Sequence, residues 1–367
     1  MTRADRRIHI RQLCCLGLPS EQLLPVLLKA VRQFVDADSA AFFWVDSHGD
    51  MTGLYAERLL PAPAMKLYFE RYYDSGEVSF KRAFADRARQ TEPVIAVSTS
   101  AASERTQYYN DVVRPLNAHH VLYGIVREQG QAIGQLSLYR PKSSPAFSAT
   151  QRSSLSSIMP YVAHGVSQRR RLIADGMDFL DTDDDALFLV GIDGGIRQLS
   201  TQAQKLLALA TLGRIGPDQP LSGIEDAARP TLLRLAARLQ GVLAGGEPGP
   251  PNFILHNAWG RFVLRAYAIS DAPLEAGSLV AIRIKRQEPL LLRFVDALSL
   301  LELSAQQREV ALGLARGSSN RELAEALGLS VNTIAYHVKQ LFQRLDTHDR
   351  QQMVAKVLGG STGTAQR

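Results

Sequence analysis

The sequence predicts an α+β protein that ends in an all-α unit of four helices. Two observations carry the α+β part: in two separate stretches, short apolar strands alternate with amphipathic helices. A third sets the ending apart, because from Leu303 onwards only helical periodicity remains, punctuated by caps in register. At 367 residues the chain is too long for one ordinary domain. The expected division is 1–172, 173–290 and 298–360.

Composition narrows the class. Hydrophobic residues make up 46% and charged residues 21%, which is globular usage and not that of a disordered chain. The net charge of +6 leans towards contact with a polyanion. The only cysteines are the neighbours Cys14 and Cys15, so no disulfide framework is expected and a reducing, cytoplasmic setting fits. The charged start "MTRADRRIHIRQL" is followed by no apolar run of signal-peptide length, and no stretch approaches a membrane span.

In the first region, "SEQLLPVLLKAVRQFV" places Leu23, Leu24, Leu27, Leu28, Val31 and Val35 at helical spacing, with Ser20 as N-cap. An aromatic strand, "SAAFFWVD", the turn "SHGD" and a second strand, "MTGLYAE", follow. "PAPAMKLYFERYYDSG" enters as a helix on prolines and ends at glycine. "HHVLYGIVREQGQAIGQLSLYRP" reads as two antiparallel strands around "EQGQ", and "SATQRSSLSSIMPYVAHGVSQRRRL" as a long helix with "SQRRR" as its charged end. The stretch "AIGQLSLYRP…FSATQRSSLSSIMPYVAHGVSQRRR" resembles the end of a GAF domain, which implies a small sensor module.

The second region opens with "DALFLVGIDGGIRQLSTQAQKLLAL", a strand, a turn, a strand and a helix. The preceding "DTDDD" starts like a calcium loop, but Ala186 and Ile192 stand where glycine and glutamate are needed, so a solvated acidic turn is expected. A helix in "DAARPTLLRLAARLQGVLAG", the breaker "GGEPGPP" and two strands in "RFVLRAYAIS…GSLVAIRIKR" complete it. The opening resembles a PAS-type module. "QEPLLLRFVDALSLLEL" links this region to the last, partly as helix.

In the last region Ser304 with Gln307, and Ser319 with Glu322, have capping-box spacing. Gly317 and Gly328 follow the first two helices, and Ser330 caps the third. In that third helix Val331, Ile334, Val338, Leu341, Phe342 and Leu345 form one apolar stripe. Opposite lie Asn332, Thr333, Tyr336, Gln340 and Gln343, flanked by His337, Lys339 and Arg344. No Asp or Glu occurs between Val331 and Leu345. A polar, acid-free helix following a tight turn suits the major groove of double-stranded DNA, where amide, hydroxyl and basic groups read base edges and phosphates repel acids. A fourth segment aligns Met353, Val354, Val357 and Leu358.

The run "LSAQQREVALGLARGSSNRELAEALGLSVNTIAYHVKQLFQRLDTHDR" resembles the LuxR-type helix-turn-helix domain, also called the FixJ or NarL type. The resemblance implies that the Ser330–Leu345 helix enters the major groove. With Ser319 and Asn320 it nominates Ser330, Asn332, Thr333, Tyr336, His337, Lys339, Gln340 and Arg344 as DNA contacts. It further implies a homodimer paired through Met353, Val354, Val357 and Leu358 on an inverted-repeat promoter site, with RNA polymerase as a further candidate partner. Several positions depart from the family pattern: Gln306, Gln307, Ala311, Ala335 in place of a frequent lysine, and Asp346 in place of a common glycine. The target sequence therefore cannot be transferred from relatives.

No P-loop, HExxH, GxSxG or GxGxxG spacing occurs where a strand and helix would support it, so neither an enzyme nor a cofactor is expected. His119-His120 lacks a second ligand pair, and no metal site is expected. Phe42 with Trp44, and Tyr68 with Tyr72, share faces that could line a small-molecule pocket, although core packing explains the same residues without a ligand. The function expected is a sequence-specific DNA-binding transcription regulator controlled by a ligand or partner sensed upstream. The alternative is a signalling protein whose terminal helices dock another protein.

Overall fold

A computed structural model describes residues 2–74, 80–167, 178–246, 249–270, 274–275 and 277–360. The fold is α+β, with two five-stranded antiparallel sheets followed by a helical unit. It opens with helix α1 (Arg3–Cys14), where Thr2 and Asp5 form a capping box. The Thr-x-x-Asp spacing, with Ile10, Leu13 and Cys14 at helical spacing, is what marks this helix in the sequence. Helix α2 (Ser20–Val35) buries every apolar position expected of it. Its cap is Pro19 and not Ser20, whose hydroxyl instead donates to Glu21.

The first sheet comprises β1 (Ser39–Val45), β2 (Met51–Ala56), β3 (Val94–Ser98), β4 (His120–Glu128) and β5 (Gln131–Arg140), in the order β2-β1-β5-β4-β3. Gln129 and Gly130 both take positive φ between β4 and β5, the backbone that a two-residue type I′ hairpin demands. Helices α1, α2 and α5 (Ala149–Ser167) pack together against one face. Over the other lie α3 (Ala62–Leu67), a π-helical turn at Tyr68–Tyr72, α4 (Phe80–Arg89) and the segment 99–118.

The second sheet repeats the plan. Strands β6 (Phe179–Gly191), β7 (Ile196–Gln198), β8 (Asn252–Asn257), β9 (Gly260–Ala268) and β10 (Leu279–Pro289) follow the order β7-β6-β10-β9-β8. Helices α6 (Thr201–Thr211) and α7 (Ile224–Leu243) bury Ala203, Leu206, Leu207, Leu232, Leu235 and Leu239 against it. The acidic run "DTDDD" is not a turn but the first part of β6. Cations on the neighbouring strand hold it there: Arg283 pairs with Asp185, Lys285 with Asp181 and Arg286 with Asp184. Cross-strand pairs of opposite charge stabilise such a ladder where acids alone would repel.

The two sheet units touch through β2, β1 and α2. Leu54 bridges to Ile215, Trp44 and Tyr55 pack on Trp259, and buried Glu21 accepts from Arg214 at 2.7 Å. The boundary expected near 172 and most of "SQRRR" lie outside the described residues.

The linker after β10 forms helix α8 (Leu290–Ser299), which buries Leu292, Phe294, Val295 and Leu298. Four more helices follow among the described residues: α9 (Ala305–Arg316), α10 (Asn320–Leu327), α11 (Val331–Leu345) and α12 (Arg350–Gly360). Helix α8 packs on α1, α9 and α12. Helix α1 reaches α9 as well, through Arg11–Glu309 at 2.8 Å and Asp5–Arg308 at 3.3 Å.

Candidate nucleic-acid interface

Local chemistry fixes the turn between α10 and α11. Ser319 accepts from the Glu322 N–H while its own N–H and hydroxyl donate to the Glu322 carboxylate, which these bonds hold below the usual carboxylate range. Gly328 closes α10 in the left-handed conformation, and Ser330 accepts from the Thr333 N–H to start α11. Helices α9 and α10 meet closely at Gly313, where a Cβ would lie 2.1 Å from Leu323. Val310, Ala311, Leu323, Ala324, Ile334, Leu341, Met353 and Val357 form the shared core.

Helix α11 therefore shows its polar side outward. Asn332, Tyr336, Lys339 and Arg344 are exposed, whereas Thr333, His337 and Gln340 are half-buried. Gln340 donates to the Tyr336 hydroxyl at 2.6 Å, so the two side chains hold each other in place across one helical turn. Arg344 lies 3.7 Å from the exposed Glu302. Ser319 is exposed and Asn320 half-buried, and the hydroxyls of Ser319 and Ser330 are already engaged at their helix starts. Val331, expected in the apolar stripe, is instead 47% exposed, because the first turn of α11 projects beyond the core. Asp346 ends α11 at φ 50°, the left-handed conformation that favours glycine.

On α12, Met353 and Val357 are buried within the chain, with α12 packed on α8, while Val354 and Leu358 are half-buried. The aromatic residues expected around a pocket are split between different places. A cavity of about 500 Å³ lies between the first sheet and the segments over it, and of the four only Tyr68 lines it. Strand alternation puts Phe43 on the cavity side and sends Phe42 to the opposite face. Trp44 meets Trp259 edge to face and lies under Arg214, and Tyr72 is buried with its hydroxyl donating to Asp111 at 2.7 Å. The cavity residues that sequence reasoning missed, Tyr108, Tyr123, Tyr139, Arg87 and Gln135, come from four separate segments and share no local motif.

The helices from α9 to α12 form a helix-turn-helix DNA-binding domain. Residues 301–357 match the family described as bacterial regulatory proteins, luxR family, so this part of the chain is a LuxR-family domain. Over 57 residues it is 42% identical to the putative HTH-type transcriptional regulator YhjB of Escherichia coli (strain K12), covering 16% of this chain and 28% of that protein. It is 39% identical over 56 residues to the probable transcriptional regulatory protein SgaR of Hyphomicrobium methylovorum, covering 15% and 26%. The chain thus spans about a quarter of the length of the curated relatives it matches. Among solved structures, SdiA in complex with octanoyl-rac-glycerol aligns over 96% of this chain and 92% of that one. Its identity of 10% and TM-score of 0.26 are too low to bear on the fold. Among the described residues no helix is long and apolar enough to cross a membrane.

Proposed function

We propose that the protein is a sequence-specific DNA-binding transcription regulator whose two sheet units sense a small molecule or partner. The observation that carries the first half is the acid-free face of α11, with Asn332, Tyr336, Lys339 and Arg344 outward on a LuxR-family domain. Helix α11 enters the major groove, where Tyr336, Lys339 and Gln340 read base edges and Arg344 meets phosphate. The repeated strand order and the resemblance to GAF and PAS modules support a sensing role for the two sheets. Pairing of two copies on an inverted repeat would use Val354 and Leu358 in the present arrangement. Met353 and Val357 would join them only if α12 left α8.

The test is the salt dependence of DNA binding by the full chain. A regulator of this kind loses affinity linearly in log salt, with a slope of about −0.9 per phosphate neutralised. Tyr336→Ala should relax sequence preference by about 1–3 kcal/mol at its base pair, and Arg344→Ala should weaken binding to all sequences and flatten the slope by about one. Binding unaffected by salt and by both substitutions would favour protein docking through the same helices.

A further inference from the structure

We propose that the cavity of the first unit is a binding site for a small planar aromatic carboxylate, anchored by Arg87 among tyrosine walls. This names a ligand class for the sensing half of the function above and rests on that reading only for its consequence. At about 500 Å³ the space falls within the 300–1,000 Å³ typical of small-molecule sites. Phe43, Tyr68, Tyr108, Tyr123 and Tyr139 supply ring surface from the sheet and from the segments over it. Rings of this kind hold a flat ligand by offset or edge-to-face contact.

The polar groups give the charge. No Asp or Glu occurs among the residues lining the cavity, whereas Arg87 does line it. Its Nε donates to Gln135 Oε1 at 2.9 Å, and Gln135 Nε2 donates to Ser137 Oγ at 3.1 Å. Gln135 and Ser137 are almost fully buried, and the guanidinium sits 4.1 Å from the centre of the Tyr123 ring. These contacts fix the orientation of Arg87 but use only one of its nitrogens. Among the described residues its two terminal nitrogens have neither a hydrogen bond nor a carboxylate partner. Such a fork matches a carboxylate.

The hydroxyls of Tyr68, Tyr108 and Tyr123 likewise have no hydrogen bond among the described residues. Burial raises all three above the usual phenol range, so they stay neutral and can donate to an acidic ligand. A cation would meet Arg87 with no acid to compensate. Arg58 also lines the cavity but is exposed, so the one guanidinium held in place, that of Arg87, suits a single negative charge better than a phosphate dianion.

Calorimetry on the full-length protein with 2-naphthoate and its neutral isostere 2-naphthamide tests this directly. Naphthoate should bind saturably at one site, and naphthamide at least about tenfold more weakly, the loss of one charge-assisted hydrogen bond. Arg87→Met should lower naphthoate affinity by about tenfold or more and erase the preference for the acid. Tyr123→Phe keeps the ring and should cost about two- to tenfold, guarding against misfolding of the first variant. Absence of binding at millimolar naphthoate, equal affinity for acid and amide, or wild-type binding by both variants overturns the proposal. No DNA enters the measurement, so failure here leaves the regulator reading standing, and intact naphthoate binding alongside absent DNA binding sinks only the latter.

Discussion

The two sheet units share a strand order but differ in what covers them. In each, the segment between the second and third strands supplies helices. In the second unit α6 and α7 present alanines and leucines that fit against Phe188, Phe262, Leu264, Ile282 and Ile284, all essentially buried. In the first, the covering segments present tyrosines and Arg87, and a space of about 500 Å³ remains. One topology thus serves as a solid core or as a container. Small and branched side chains interdigitate to crystal-like density, whereas phenols and a guanidinium that keep donors free cannot.

The largest test of this contrast is a pair of truncations. Phe262→Ala should destabilise the protein by about 3–5 kcal/mol, the cost of emptying a filled core. Phe43→Ala, on a wall that already faces open space, should cost roughly half as much or less, because fewer contacts are lost. Urea unfolding midpoints at constant slope measure both, and equal losses would mean that the two units are packed alike. A smaller effect in the opposite sense sharpens the comparison. Ala266→Leu overpacks the second sheet and should cost about 1–3 kcal/mol, while Ala41→Leu enters the cavity and should cost less than about 1 kcal/mol while blocking naphthoate.

The smallest expected effect is electrostatic. Hydrogen bonds from Gln287 and Lys285 hold Asp181 below the usual carboxylate range, and Arg283 does the same for Asp185. A lowered folded-state value means that these groups stabilise the fold above the unfolded carboxylate value near 4, and that the contribution is lost as pH falls below it. Hydrogen exchange should therefore show β6 and β10 loosening before β4 and β5 between about pH 4 and 3. Simultaneous loosening would deny the ladder a role of its own. Both carboxylates are partly exposed, so the effect is small.

The C-terminal domain was the most legible part of the sequence because its signals are local. Ser304 with Gln307, Ser319 with Glu322, and Gly317 and Gly328 each act within a few residues, and the structure places all of them as caps. Legibility fell where distant segments decide. The run Asp181–Asp185 looks like a turn until Arg283 and Lys285, about a hundred residues later, are set beside it. Phe42 and Phe43 are adjacent and equally aromatic, and only the pairing of β1 with β5 decides which one faces the cavity. Arg87 carries no mark in the sequence that would set it beside Gln135.

The contact between α1 and α9 gives the chain a temporal order. Arg11 and Glu309 are 298 residues apart, so α1 leaves the ribosome with part of its surface unmatched until α9 emerges. At about 5–20 residues per second this wait is roughly 15–60 s. During that interval both sheets can form, and the helix-turn-helix domain then closes onto a surface made before either of them. Deleting α1 should accordingly be felt 298 residues away, in the seating of the DNA-binding domain.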